Sequence, residues 1–159
     1  MKIVDRMKAA VYIAPRHKST GTMAQKNKAT LSTREYRALA EIRRGMRQFL
    51  EFSAREAKGA GLTPAQHQAL LAIKGMPGPV TVGALADWLG IKPHSAVGLV
   101  DRLTLQKLIA RVSDPDDRRR VGLQLTPRAD EKLAALSQIH RAELHRFSRA
   151  LAPLLEILH

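Results

Sequence analysis

Two groups of side chains in this 159-residue chain are suited to chemistry, and both are suited to anions. Arg118, Arg119 and Arg120 follow directly on Asp114-Pro115-Asp116-Asp117. Three consecutive guanidinium groups on an exposed turn repel one another unless they meet anions, and arginine is well matched to phosphate and to narrow minor grooves. Asp117 is spaced to hold Arg119 by a salt bridge; a solvated loop whose acids neutralise the arginines is the alternative. The second group, Lys92, His94, Ser95, Val97, Gly98 and Arg102, surrounds a segment opened by Pro93. Small and hydrogen-bonding residues near the positive end of a helix allow close approach to base edges and phosphates. Catalysis finds no matching set: no nucleophile–base pair, phosphate loop or convergent carboxylate pair has a recognisable context, so the chain is read as no enzyme. His140, Glu143 and His145 place only one i, i+3 pair on a shared face and offer no third ligand, so neither a metal nor a cofactor is expected.

The elements that must position these residues follow from local signals. Ser32 and Glu35 form a capping box that opens a helix to about Ala57, with Leu39, Ile42, Met46, Phe49 and Leu50 on one face and Arg34, Arg37, Arg43, Arg44 and Arg47 mostly on the other. Gly59 and Gly61 end it. Thr63-Pro64-Ala65-Gln66 is a second capping box, opening a helix to Gly75. After the loop at Pro77, Gly78 and Pro79, Val80 and Thr81 supply a short strand. Val82, Leu85, Ala86 and Leu89 then stripe a two-turn helix stopped by Gly90. The Pro93 helix turns Ala96, Leu99, Val100 and Leu103 inward, which leaves His94, Ser95, Val97, Gly98 and Arg102 outward. Leu108 to Val112 and Val121 to Leu125 alternate as the strands of a hairpin with the arginines at its tip. A helix opened by Thr126 and Pro127 carries Leu133, Leu136, Leu144 and Phe147, and Pro153 is expected to interrupt it, leaving a short Leu151 to Leu158 segment. The order helix, turn, helix, hairpin is a winged helix-turn-helix: a mainly α fold with a small β-hairpin wing, flanked by long helices from both termini.

Composition agrees with an acidic partner. Twenty-seven Lys and Arg against 14 Asp and Glu give a net charge of +13, and nucleic acid is the commonest polyanion a protein of this kind meets, anionic membrane being the rival. No cysteine is present, which excludes disulfides and thiolate metal sites. No apolar run approaches bilayer length and no signal core opens the chain, so the expected location is cytoplasmic, at the bacterial nucleoid, with no membrane partner. Residues 1–31 form a basic N-terminal extension carrying Lys2, Arg6, Lys8, Arg16, Lys18, Lys26 and Lys28, which reads as an arm, as a solvated tail, or as translation begun too far upstream. Residues 32–159 form one domain, with 62–126 the DNA-binding lobe between the helical segments 32–58 and 127–159.

From about Ser32 onward the chain resembles the MarR family of bacterial transcription regulators. The residues that carry the resemblance are Leu62-Thr63-Pro64-Ala65-Gln66, Leu85-Ala86, Leu89-Gly90-Ile91, Val100-Asp101-Arg102-Leu103, Asp114-Pro115-Asp116-Asp117-Arg118-Arg119 with Val121, and Leu125-Thr126-Pro127. The resemblance implies a homodimeric repressor, with 32–58 and 127–159 as its dimerisation helices, on a pseudo-palindromic double-stranded DNA operator, with Arg119 at the DNA and Asp117 orienting it. It also implies a small aromatic or phenolic effector, which directs attention to Tyr36, Met46, Phe49, His67 and Trp88, although Trp88 and His67 are as well explained by packing. Four positions depart from the family pattern: Lys92 stands where a capping serine is frequent, Gly98 where a larger polar or basic side chain often reads DNA, Lys107 where glycine usually follows the recognition helix, and Ala129 where glycine usually stands just inside the next helix, a change that favours the helix. A sequence-independent architectural DNA binder is the alternative reading, motivated by the charge, the basic extension and the small residues of the Pro93 helix.

Overall fold

The computed structural model describes residues 30–113 and 121–158. Residues 1–29 of the basic extension, Asp117 and the three adjacent arginines lie outside the described residues. The elements are α1 (Thr33–Gly59), α2 (Pro64–Gly75), α3 (Val82–Leu89), α4 (Pro93–Leu105), β1 (Ile109–Ser113), β2 (Val121–Leu125) and α5 (Pro127–Glu156).

Four of the five helices start where a side chain supplies an oxygen to the open amides. Ser32 and Glu35 cap α1 reciprocally, Thr63 and Gln66 do the same for α2, and the hydroxyls of Thr81 and Thr126 accept from Ala84 and Ala129 at the starts of α3 and α5. Three helices end in one way. In α1, α3 and α4 the chain turns left-handed at Gly61 (φ 74°), Gly90 (φ 64°) and Lys107 (φ 56°), and the next amide reaches back to Ala57, Ala86 and Leu103 at 2.9–3.0 Å. Glycine takes this conformation freely; Lys107 does so against the contact between its Cβ and its own backbone.

The core sits between α2, α3, α4, the hairpin and the start of α5. Leu70, Leu85, Val100 and Leu103 are its largest fully buried side chains, joined by Leu62, Leu108, Ile109, Leu123, Leu133 and Leu136. Burying each such aliphatic side chain contributes about 1.5–3 kcal/mol. The two strands pair antiparallel in the register Ile109↔Leu125, Arg111↔Leu123, Ser113↔Val121. β1 begins one residue later than the alternation suggests, because the Leu108 amide is already bound to Leu103 at the end of α4. The strand expected at Val80 reduces to a single bridge, Leu123 N donating to Val80 O at 2.8 Å.

The long helices α1 and α5 pack on each other apart from this core. Gly45 makes the approach possible: a Cβ there would stand 2.7 Å from Cε2 of Phe147, whose ring stacks on Phe49 at 5.9 Å. Pro153 does not interrupt the chain as expected, since α5 runs unbroken to Glu156. Proline's fixed φ suits a helix, and the hydrogen bond it removes lies in the last turns, where the acceptor, Arg149, is exposed to water. Leu39, Met46, Leu50, Ile139, Leu144 and Leu155 of these two helices remain exposed.

Candidate nucleic-acid interface

Burial of one face of α4 determines what its other face presents. With Ala96, Leu99, Val100 and Leu103 in the core, Lys92, His94, Ser95, Val97 and Arg102 stand exposed and Gly98 is half-buried between them. Val97 is 45% exposed, an apolar side chain held in water at the centre of the outward face and of the kind that meets a thymine methyl. No side chain caps α4, since Lys92 occupies the N-cap position, and Pro93 has no N–H to offer. The first turn therefore opens with the His94 amide and the positive end of the helix unneutralised, beside the Lys92 ammonium.

Gly98 has a geometric consequence. Arg102, one turn on, lies over it, with Nη1 3.5 Å from where a Cβ would be. The missing side chain at 98 gives the Arg102 guanidinium a place to lie along the outward face.

Sequence reasoning passed over a residue that connects the two halves of this surface. Arg111 of β1 donates from Nη2 to Asp101 Oδ1 of α4 at 2.7 Å, tying the hairpin base to the recognition face of the helix. The signal was available: period-two alternation puts Arg111 on the same side of β1 as buried Ile109, the side that faces α4. The pair also keeps Asp101 from standing as a bare anion beside Arg102. Lys107 and Leu108 add a second link, their carbonyls accepting from Thr126 Oγ1 at 2.9 and 3.3 Å. Candidate contacts Arg118, Arg119 and Arg120, with Asp117, belong to the 114–120 connection at the far end of this hairpin, outside the described residues.

The five residues suggested for an effector pocket do not gather in one cavity of the described structure. Tyr36 and Met46 are exposed on α1. Trp88 is 47% exposed and lines a groove of about 350 Å³ with Gln68, Leu71, Ala72 and Leu89. Phe49 lines a separate cleft of about 360 Å³ between α1 and α5, with Gly45, Gln48, Phe147 and Leu151. His67 is buried in α2, its ring 4.7 Å from that of His140, which also meets the edges of Phe49 and Phe52. Burial, and after it the facing His140, hold the His67 ring below the ordinary histidine pKa. Among the described residues no group of three or more His, Cys, Asp or Glu is placed to hold a metal ion, and no helix is long and apolar enough to cross a membrane.

A family model described as the MarR family matches residues 60–120, from the end of α1 through the hairpin connection. The HTH-type transcriptional repressor MdtR of Bacillus subtilis is 33% identical over 87 residues, 55% of this chain and 56% of MdtR. A Thauera aromatica protein assigned to transcriptional regulation of the hcr operon is 32% identical over 112 residues, 70% of this chain and 67% of that protein. The chain thus spans little more than half of the first relative and two thirds of the second. Among solved structures, a mutant of S. aureus MepR bound to an oligodeoxyribonucleotide shares the fold, with a TM-score of 0.62, 20% identity, and coverage of 78% of this chain and 98% of that one.

Proposed function

The chain belongs to the MarR family of DNA-binding transcription regulators, and on that premise we propose that it is a homodimeric repressor, active at the bacterial nucleoid in the cytoplasm, that a small molecule releases from a pseudo-palindromic operator. The observation that carries the reading is the outward face of α4, where exposed His94, Ser95, Val97 and Arg102 are locked to the hairpin by Asp101 and Arg111. A helix and a wing held at a fixed angle can enter a major groove and the adjoining minor groove or backbone together. Lys92, Arg102 and Arg118 to Arg120 supply the phosphate contacts, which dominate affinity and its salt dependence, while His94, Ser95 and Val97 supply the base contacts. Gly98 permits close backbone approach and carries Arg102. Dimerisation uses the exposed apolar residues of α1 and α5, which a second copy related by a two-fold axis would cover. An aromatic or phenolic effector fits the Phe49 cleft between those helices better than the exposed Tyr36 and Met46.

The test is binding to the DNA upstream of the protein's own coding region against a random duplex, across a salt series. Preference for the upstream duplex, with a footprint of two half-sites one helical turn apart, is the expected result. Equal and steeply salt-dependent binding to both would point instead to a sequence-independent architectural binder, or to an operator located elsewhere. Arg119→Ala is expected to weaken operator binding strongly while sedimentation shows the dimer unchanged; an unaltered affinity overturns the role given to the wing.

A further inference from the structure

The terminal helices and the DNA-binding lobe meet at a pair of histidines that DNA contact leaves unused. His67 follows immediately on the capping box of α2 and is 2% exposed, and its Nε2 is buried without a hydrogen-bond partner. His140 of α5 faces it, ring centroids 4.7 Å apart and planes tilted by 52°. His140 itself is held at both nitrogens. Its Nδ1 lies 2.7 Å from Leu136 O and its Nε2 2.9 Å from Ser53 Oγ of α1. A carbonyl only accepts, so Nδ1 carries the proton, and in the neutral ring Nε2 then accepts from the Ser53 hydroxyl. Three helices therefore converge on one imidazole pair: α2 from the lobe, α1 and α5 from outside it.

We propose that the His67–His140 contact is a proton-operated joint: with His67 neutral it clamps α2 to α5, and protonation of the His67 ring opens this contact, so that α2 and the DNA-binding lobe shift against the terminal helices about the core they share at Leu133 and Leu136. The protonated ring would bring a positive charge and an N–H donor into a place with no acceptor, walled by His140 and, behind it, Phe49 and Phe52. A buried donor or charge without a partner is costly, and separation toward water is the relief that the packing allows.

Among the described residues no charged side chain hydrogen-bonds to either ring. On α1, Arg55 lies over the Phe52 ring at 5.8 Å, Glu56 is half-buried three residues beyond Ser53, and the residue that reaches the pair is uncharged Ser53. On α5, Lys132 donates to Ala60 O and Glu143 pairs with Arg146, so His140 is the titratable group acting on His67. From the end of α4, Gln106 reaches α2 at Gln66 rather than at His67. No carboxylate is among the groups that act on the His67 ring to stabilise its charged form, and burial with the facing His140 places the release on the acid side of the ordinary histidine range.

Because α2 packs against α3, α4 and β2, its movement carries the whole lobe. In a two-fold dimer that changes the distance between the two α4 helices, so acid lowers DNA affinity; this consequence rests on the DNA-binding reading above. Its sign is informative. Acidification otherwise adds positive charge, including at exposed His94, and strengthens attraction to phosphate.

The test compares the full chain with His67→Phe and His67→Gln between about pH 7.5 and about pH 5.5, the span in which histidine titrates. Two readouts are taken: affinity for the upstream duplex, and amide hydrogen exchange in α2 and α5 alongside NMR titration of the histidine rings. The wild type is expected to lose affinity by up to about tenfold per pH unit for each coupled His67, about a hundredfold for the two of a dimer, while both variants stay level or gain. Exchange at the α2–α5 contact should rise with the midpoint of the His67 ring. Identical pH profiles in wild type and variants, or a contact that stays protected while His67 titrates, overturns the joint. If His67→Phe fails to fold, His67→Gln, polar and untitratable, carries the comparison. A wild type that binds no duplex at about pH 7.5 refutes the DNA-binding reading, and the exchange readout then still decides the joint.

Discussion

Replacing Lys107 by glycine should make the protein more stable. Lys107 ends α4 at φ 56°, donating to Thr104 O while Leu108 donates to Leu103 O, each at 2.9 Å. A left-handed conformation costs an L-residue about 1–2 kcal/mol, and glycine removes that cost. Glycine also adds freedom to the unfolded chain, which offsets about 0.5–1 kcal/mol of the gain. The net expectation is stabilisation by about 0.5–1 kcal/mol, or roughly 1–4 °C in Tm for a chain of this size. Loss of a cation at the helix C-terminus subtracts from this, and Lys107→Ala measures that loss, since it removes the ammonium and leaves the backbone conformation as it was. Urea and thermal unfolding at one fixed protein concentration provide the assay, because dimerisation would make Tm depend on concentration. The order expected is Lys107→Gly above wild type, with Lys107→Asn between them and Lys107→Ala at or below wild type. Were Lys107→Gly no more stable than Lys107→Ala, the strain assigned to residue 107 would not exist.

At the other end of α4, Lys92→Ser supplies the missing cap and is expected to add about 0.5–1 kcal/mol of stability while weakening duplex binding and flattening its salt dependence by about one phosphate contact. Affinity unchanged across a salt series would remove Lys92 from the interface. Arg111→Ala breaks an exposed ion pair and should change stability by less than about 1 kcal/mol, yet reduce DNA affinity at least several-fold by freeing the hairpin from α4. A loss of stability with full DNA affinity would show instead that the pair serves only the fold. For His67, whose folded pKa is depressed, the sign follows from linkage: the stability due to the neutral ring is complete above the unfolded value of 6.5 and is lost as pH falls through the folded value. His67→Phe should therefore flatten the stability profile on the acid side of 6.5, as urea midpoints against pH would reveal. Leu70→Ala, at a fully buried position, is expected to cost about 2–5 kcal/mol and to lower duplex binding only through the unfolded fraction.

The helix limits and the order of elements were legible because the signals are local. Ser32 with Glu35, Thr63 with Gln66, and Gly61 and Gly90 satisfy amides or carbonyls within a few residues of themselves, and no distant partner is needed to read them. The outward face of α4 was legible for a related reason, since the spacing of Ala96, Leu99, Val100 and Leu103 leaves only one side for His94, Ser95, Val97 and Arg102. Pro153 misled because proline's local rule is a strong one, yet near a helix end the bond it removes matters little.

What the sequence by itself determined is thus a winged helix-turn-helix of the MarR family, with an unusual lysine where the left-handed turn after α4 favours glycine. Tertiary structure decided what acts across the chain: Arg111 on Asp101 ten residues away, Arg102 lying over Gly98, and His140 bonded to Ser53 across 87 residues while its ring faces His67. Local periodicity says which side of an element is buried but not which partner buries it. A charge or an imidazole acquires its role from that partner, through the water excluded and the hydrogen bonds left open, and those exist only once the helices have packed.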